Sequence, residues 1–489
     1  MKKTIGFMIV AAVAIQAELL QSGNWRAPYF LLATEMEYAQ DNSSSGMFWD
    51  GIGSVELFEK SLWPDEQKLG NNHWFLEPSV NVGFLSEPPD TQDNDFWQAS
   101  LLNSIKYKNF YIRQTLNVDK RYGYDNYYPA HKDRAVRGRI EEAFLQVNWK
   151  YGFFRLGRTE RNWGPFADRS LILSSNPYTY DALEWQLQSS LFEFRHLFAA
   201  FPQEKSYWDT NGKLLNRFFA AHALNLILGK WATVGVLESV VFSRDKGFPD
   251  FSYVNPFSIY TVINTNQEGI GNLMLGIQWK IHPFTENIAL KGQIVWDDFQ
   301  VDDSLVTDKE PTHWGMDMGL YWRNPFALKL KNSVKVEYNL RSKWLYTVPD
   351  YNTDMGEGYR YLTKSLGYEE NDGYRISAGF NLIGQKYWAA SLFSGYEEKG
   401  ANSPVSRWND SKAIHGLPND TLSEPTETRI DCGLSLFFYF KDYADLRFSY
   451  NNIWLKNENN IRSEGFEYKP SVKIECSVHF SDFITKLPD

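Results

Sequence analysis

The sequence has 489 residues, a formal net charge of -10 at pH 7 and 16% aromatic residues. An acidic balance argues against nucleic acid as a partner, because nucleic-acid-binding surfaces carry clustered Lys and Arg. The mean hydropathy of -0.45 is that of a polar chain, yet aromatic rings recur along almost its whole length. A membrane β-barrel accounts for both properties, since it has a polar interior, an apolar outer band and aromatic girdles at both interfaces.

The N-terminal stretch MKKTIGFMIVAAVAIQA predicts a secretory signal peptide, residues 1–17. Two lysines precede an apolar run that ends in small residues, so cleavage is expected after Ala17, or alternatively after Ala14. A membrane-anchor helix needs about 20 apolar residues, and Gln16 and Glu18 interrupt this run too early. Residues 18–77 are then expected to form a periplasmic N-terminal segment that is partly helical.

Residues 78–489 predict an all-β fold, a closed antiparallel transmembrane barrel, because apolar and polar residues alternate with a period of two. In KNSVKVEY, for example, Val334 and Val336 fall on one face, whereas Lys335 and Glu337 fall on the other. About eighteen such runs occur, an even number of the kind found in bacterial barrels, and their length suits a tilted crossing of a bilayer. The predicted strands are 78–86, 96–108, 110–120, 138–149, 152–159, 182–188, 191–201, 214–228, 231–243, 270–282, 287–300, 313–323, 327–343, 373–384, 386–397, 427–440, 444–456 and 471–480.

The connections between these runs favour a membrane barrel over a soluble sandwich. Short gaps alternate strictly with long ones, which is typical of outer-membrane barrels with periplasmic turns and external loops. The short turns are therefore expected to face the periplasm. The long loops expected outside include 160–181, 244–269, 344–372 and 398–426.

The two cysteines, Cys432 and Cys476, fall on the apolar face of the sixteenth and eighteenth predicted strands. Two strand spacings separate them by about 9.6 Å, beyond the reach of about 7 Å that a disulfide allows. We therefore predict free thiols that face lipid.

Catalytic and metal-binding motifs are weak in this sequence. The eight histidines show no metal-ligand spacing, and HExxH, GxSxG and P-loop motifs are missing from the sequence. We predict no catalytic residue, no cofactor and no metal. Adjacent acids such as Glu141 and Glu142 are expected to point to opposite faces of a strand. WDDFQVDD, which contains Asp297 and Asp298, suits either a divalent cation or a solvated loop rim.

The long loop that begins RTERNWGPFADRSLILSSNP is polar at its front and apolar at its back. If it folds back over the barrel mouth, Leu171 to Leu173 bury against the inner wall while guanidinium and indole groups face a ligand. Arg guanidinium groups bind carboxylates through paired hydrogen bonds, and large aromatic rings provide flat apolar contacts. Both kinds of contact suit the recognition of sugars. The alternative is a scaffold in which Arg158 pairs with Asp168. The predicted glycan contacts are Arg158, Arg161, Trp163, Asp168, Arg169, Asn176, Asp297 and Asp298.

Several stretches resemble the Wzi family of capsule assembly proteins. They are Gly157-Arg158, Trp163-Gly-Pro165, Leu171-Ile-Leu-Ser-Ser-Asn-Pro177, RIEEAFLQVNWKYGFFRLGR, NPFSIYTV at 255–262 and GQIVWDDFQ at 292–300. Phe166 departs from the family, which often has Gly after Trp-Gly-Pro. The resemblance covers most of residues 120–302 and implies an eighteen-stranded outer-membrane barrel with a helical periplasmic part, a surface lectin that attaches capsular polysaccharide.

Together these features predict a non-enzymatic barrel in the outer membrane of a Gram-negative bacterium, with its loops extracellular. Its expected partners are outer-membrane lipid, capsular or exopolysaccharide, and other polysaccharide export or assembly proteins. A porin-like solute channel is the alternative, and it would require an open lumen. A membrane hydrolase would require a Ser-His or Asp-His group at one rim.

Overall fold

The structure, a computed structural model, describes most of the chain from residue 72 onward and one short piece before it. The described residues are 47–50, 72–86, 93–125, 128–131, 136–202, 215–244, 247–266, 271–298, 313–326, 328–349, 355–384, 388–408, 422–440, 444–480 and 483–486. The predicted signal peptide and almost all of the predicted segment 18–77 lie outside them.

Eighteen long strands form the barrel within this part of the chain. They are β1 His73–Leu85, β2 Asp95–Tyr107, β3 Phe110–Asp119, β4 Gly138–Trp149, β5 Gly152–Thr159, β6 Tyr180–Gln188, β7 Phe192–Phe201, β8 Asn216–Leu228, β9 Ala232–Arg244, β10 Gly271–Ile281, β11 Ile288–Asp298, β12 His313–Arg323, β13 Lys331–Arg341, β14 Gly373–Gly384, β15 Trp388–Lys399, β16 Glu427–Phe440, β17 Ala444–Lys456 and β18 Glu467–His479. Two helices, α1 Phe251–Val254 and α2 Tyr260–Asn266, lie between β9 and β10.

Each strand pairs antiparallel with its neighbours in the chain, and β1 closes the ring by pairing with β18. A short extension, Phe483–Lys486, continues this closing seam along the start of β1. The predicted fold class is confirmed, and each predicted strand overlaps one observed strand. Boundaries differ by a few residues. The first strand begins at His73 rather than 78, and Lys329 lies in the turn before β13 rather than in a strand.

Alternation along the strands separates a polar interior from an apolar outer surface. On β10, Gln278 and Lys280 are buried, whereas Leu275 and Ile277 are exposed on the outside. Lys335 also points inward, because its Nζ lies 3.4 Å from the buried Glu337 carboxylate. The alternation places apolar side chains toward lipid and polar ones toward the lumen, as a membrane barrel requires.

Both cysteines are free, as predicted. Their neighbours Asp431 and Glu475 are buried inside the barrel, so Cys432 and Cys476 fall on the outward face.

The two ends of the barrel differ in their connections. Short turns such as 150–151 and 229–231 lie at one end, and long loops such as 342–372 and 400–426 lie at the other. We call these the short-turn end and the long-loop end. No helix among the described residues is long and apolar enough to cross a membrane.

One prediction about the inner face is wrong. Glu141 and Glu142 are adjacent on β4, yet both are buried and both contact interior residues. Glu141 accepts a hydrogen bond from Tyr122 at 2.5 Å, and Glu142 accepts one from Thr115 at 2.9 Å. The pairing of β3 with β4 shifts by one residue at this point. Such a bulge interrupts the alternation, so neighbouring side chains can share a face.

Candidate functional site

The loop between β5 and β6 turns into the barrel, as its mixed polarity predicts. Leu171, Ile172 and Leu173 are 0% exposed and belong to the main hydrophobic cluster. Glycines of the inner wall make room for them, since a Cβ added at Gly276 would lie 3.2 Å from the Ile172 side chain. The loop therefore occupies the lumen at the long-loop end.

Polar side chains of the wall hold this loop at a fixed depth. The Gln293 side chain on β11 accepts a hydrogen bond from the Leu171 N–H at 2.7 Å and donates one to the Trp163 carbonyl at 3.2 Å. Asp317 on β12 is in direct register with Gln293, and Arg169 Nε of the loop lies 3.2 Å from it. Asp317 is the fifth of the eleven residues of β12, counted from the long-loop end. The tip of the loop thus reaches close to the middle of this strand.

Arg161 is a structural residue of this loop. Its side chain is 2% exposed, and its guanidinium donates to Glu184 at 3.1 Å and to the carbonyls of Thr159, Tyr180 and Gly157. A guanidinium with its nitrogens engaged in this way has little capacity left for a ligand. Arg161 therefore anchors the loop to β5 and β6.

Glu184 is the centre of a larger buried network that the sequence did not single out. Besides Arg161, its carboxylate pairs with Arg155 and Arg195, each at 3.4 Å. All four side chains are buried inside the barrel. Removing the shared carboxylate would leave three buried cations without their common partner. Through Arg161, Glu184 also links the loop to the barrel wall.

A second long loop, residues 342–372, interlocks with the first. Tyr346 and Tyr359 donate hydrogen bonds from their hydroxyls to the carbonyls of Leu171 and Ile172, both at 2.7 Å. Burial raises the pKa of both phenols, so they remain neutral donors. Tyr346 has a left-handed backbone, with φ of 71°, a conformation that a bulky residue keeps only where its surroundings impose it.

Gly367 is expected to be essential for this interlock. A Cβ at this position would lie 2.4 Å from the Leu171 carbonyl and 2.5 Å from the Tyr346 hydroxyl. We expect Gly367→Ala to lower the free energy of unfolding by about 1–3 kcal/mol through overpacking, measured by urea titration in detergent. Gly465→Ala is the matched control, because nothing lies within 4 Å of that added methyl. Equal urea midpoints for the two variants would contradict the close approach of the loops.

A short strand from the N-terminal segment also lies in the lumen. Residues Phe48–Asp50 pair antiparallel with Arg161–Trp163 of the first loop. The Phe48 ring meets the Trp163 ring edge-on at 5.2 Å, and the Arg195 guanidinium lies 4.2 Å from its centroid. Trp163 is fully buried in this contact. Its position is that of a core residue that joins the N-terminal strand to the loop.

The remaining predicted glycan contacts fall in different places. Arg158 pairs with Asp181 at 2.7 Å on the outer side of the wall near the long-loop end, and not with Asp168. Asp168 is partly exposed at the loop tip and pairs with Arg169 at 3.1 Å. Asn176 is half-buried and donates to the Ser365 carbonyl at 3.0 Å.

Asp297 is buried and accepts a hydrogen bond from the Tyr346 N–H at 2.6 Å, so it positions the second loop. The side chain of Asp298 and residues 299–312 lie outside the described part of the structure. Among the described residues no group of three or more His, Cys, Asp or Glu side chains is arranged to hold a metal.

Electrostatics fix Arg169 in its charged form. Burial alone would lower the pKa of this guanidinium, but the neighbouring carboxylates of Asp317, Glu337 and Asp168 outweigh it and raise the pKa well above its ordinary value. The Phe166 ring lies 4.3 Å from the same guanidinium. Arg169 consequently keeps its positive charge at the tip of the loop.

A solved structure resembles the whole of this architecture. Wzi from Escherichia coli, described as an outer-membrane protein involved in group 1 capsule assembly and a carbohydrate-binding β-barrel, aligns with a TM-score of 0.58 over 97% of this chain and 99% of its own. The chain has the Wzi barrel fold. Identity to Wzi is 12%, so the likeness concerns the fold alone.

Porin-type barrels also align, over a smaller part of the chain. OccAB4 of Acinetobacter baumannii shares 9% identity, with a TM-score of 0.45 over 84% of this chain and 99% of its own. OpdK of Pseudomonas aeruginosa shares 7% identity, with a TM-score of 0.47 over 84% and 98%. No family model matches the sequence, and no curated protein sequence matches it either.

Proposed function

We propose that this protein is an outer-membrane barrel that binds surface polysaccharide and helps to attach or assemble capsule or exopolysaccharide at the cell surface. The observation that carries the proposal is the pair of interlocked long loops, tied into the lumen through Glu184, Gln293 and the tyrosines of the second loop. The long-loop end then faces the exterior of a Gram-negative cell, and the protein acts by binding rather than by catalysis.

A porin-like solute channel is the second candidate, since barrels of this size leave an aqueous channel when they are not filled. The buried ion pairs and the hydrophobic cluster at the long-loop end argue against it, because both would be exposed to water in an open pore. The Wzi fold supports the first candidate, as the Escherichia coli protein is described as carbohydrate-binding.

Solvent exposure separates the proposed contact residues from the positioning residues. Arg161, Trp163 and Asp297 are buried and hold the loops. Arg158, Asp168, Arg169 and Asn176 keep exposed surface. Asp298 stays a proposed contact because of its place at the end of β11. Guanidinium groups donate hydrogen bonds to the acidic groups and hydroxyls of a polysaccharide, and carboxylates accept hydrogen bonds from its hydroxyls. Export or assembly proteins would deliver the polysaccharide to this surface.

Binding of the full-length protein to polysaccharide purified from its own host tests this function. We expect Arg158→Ala to weaken binding by roughly 10- to 150-fold, since a hydrogen bond to a charged group contributes about 1.5–3 kcal/mol and each 1.4 kcal/mol is a factor of ten. Lys230→Ala, at the short-turn end in the exposed pair with Glu286, is the matched control and should bind as the wild type does.

Deletion of the gene should release polysaccharide into the medium while synthesis continues. Absence of binding by the wild-type protein, together with unchanged retention of polysaccharide by the deletion strain, would overturn the proposed function.

A further inference from the structure

Three polar side chains lie on the outer surface of the barrel, where apolar ones are expected. His196, His222 and Glu238 stand side by side on β7, β8 and β9, in direct register. Their chain neighbours, such as Arg195 and Leu237, are buried on the inner face, so the three point outward. A carboxylate in contact with lipid hydrocarbon is unfavourable, and another part of the molecule must therefore shield this row.

The loop between β9 and β10 supplies the shield. The Tyr260 N–H donates to the Glu238 carboxylate at 2.8 Å, and the Thr261 hydroxyl donates to it at 2.6 Å. His222 Nε2 lies 3.2 Å from the same carboxylate, and the Tyr260 ring lies against His222 in a tilted arrangement with centroids 4.4 Å apart. Helix α2 thus lies against the outside of the barrel rather than above its mouth.

Apolar contacts extend the attachment toward the long-loop end. Tyr253 and Tyr260 form a buried cluster with outward-facing strand residues, among them Phe218 and Phe242. Phe242 is 0% exposed, whereas Phe84, an outward residue near the same end of β1, is 45% exposed. Over β8 and β9 the loop has therefore replaced the strands as the outer surface.

The other side of the loop is apolar as well. Phe257 is 75% exposed and its ring stacks on Phe194 of β7, with centroids 6.0 Å apart. Phe194 lies two residues from the start of β7 at the short-turn end, so the loop descends deep along the outer surface. The large exposed apolar side chains of the loop are Phe248, Phe251, Phe257, Ile259 and Val262.

This apolar side is continuous with the lipid-facing surface of the barrel. Next to it, exposed strand residues such as Leu226 and Val236 form the ordinary outer band. A loop that reaches the level of Phe194 from the long-loop end must pass through the region that this band marks as hydrocarbon. Lipid contacts the rest of the band, and among the described residues the outer side chains of the loop are exposed in the same way as those of the band.

We propose that residues 247–266 form a membrane-embedded loop, which enters from the long-loop end and lies between the outer surface of β7–β9 and the acyl chains of the membrane. Its inner side shields the His–Glu row, and its outer side contacts lipid. This explains why the NPFSIYTV stretch carries apolar residues on both sides, a pattern that a solvated loop does not need. The proposal does not depend on which ligand the barrel binds.

Lipid-restricted and aqueous quenchers distinguish the possible surroundings of the loop. Full-length protein without its native cysteines (Cys432→Ser, Cys476→Ser) would carry Phe257→Cys or Val262→Cys, labelled with a fluorophore and reconstituted in phosphatidylcholine–phosphatidylglycerol vesicles. Leu226→Cys is the control within the lipid band, and Val405→Cys, exposed on the loop between β15 and β16, is the control in water. Heat-modifiable migration in gels verifies that each variant is folded.

We expect doxyl-lipid quenching at Phe257→Cys and Val262→Cys to match that at Leu226→Cys, with loss of the iodide quenching seen at Val405→Cys. Iodide quenching equal to that at Val405→Cys would place the loop in water and overturn the proposal. Protection from both quenchers would show that protein covers the loop, which also overturns it.

Discussion

Replacing Glu184 by Ala is expected to lower the free energy of unfolding by about 3–5 kcal/mol, the cost of leaving a buried charge without its partner. The carboxylate is the shared partner of Arg155, Arg161 and Arg195. Urea titration in detergent, followed by tryptophan fluorescence, measures the change. Because Trp163 lies on the loop that Arg161 anchors, its emission should shift at lower urea than the loss of β-sheet circular dichroism.

Two controls accompany this prediction. Glu184→Gln keeps the shape and one acceptor oxygen, so it should lie between the wild type and Glu184→Ala. Glu286→Ala removes one partner of the exposed pair with Lys230 and should leave the urea midpoint unchanged, since exposed pairs contribute little. If the urea midpoint of Glu184→Ala equals that of the wild type, the three guanidinium groups find other partners and the prediction is wrong.

Removing both interlocked loops is expected to convert a closed barrel into a conducting one. The variant replaces residues 164–176 and 344–368 by short Gly-Ser linkers, so the described lumen loses the cluster around Leu171 and Tyr346. A barrel of this strand number then holds a continuous water channel. Single-channel recording in planar bilayers should give little current for the wild type and porin-like steps for the variant.

The comparison variant replaces residues 458–465, an exposed loop between β17 and β18 that contributes nothing to the cluster. It should conduct as little as the wild type. Large open-channel steps in the wild-type protein itself would favour the solute-channel alternative and remove the main support for a binding function.

The strands could be predicted from the sequence because lipid on one side and a wet lumen on the other impose a strict period of two. That constraint is strong for Leu275 or Gln278, in the middle of a strand. It weakens at strand ends, where Lys329 lies in a turn, and it fails at a bulge, where Glu141 and Glu142 both turn inward. Bulges depend on local pairing, and the sequence carries no clear signal for them.

The candidate site was predictable only in part. Burial of Leu171 to Leu173 follows from their composition, whereas the roles of Arg161 and Trp163 depend on partners elsewhere in the chain. Glu184 lies 23 residues from Arg161, and Phe48 precedes the barrel altogether. A usable signal was present on the outer surface, since His222 and Glu238 interrupt the apolar face of their strands, and such an interruption indicates that another segment shields the polar group.

The pairing of β1 with β18 and with Phe483–Lys486 brings the start and the end of the barrel sequence into contact. Until that contact forms, two edge strands expose unpaired backbone donors and acceptors, which are templates for association with other chains. Closure also requires a pairing of very long sequence separation, and such pairings form slowly. A chain truncated before residue 467 should therefore accumulate as an aggregate rather than as a smaller barrel.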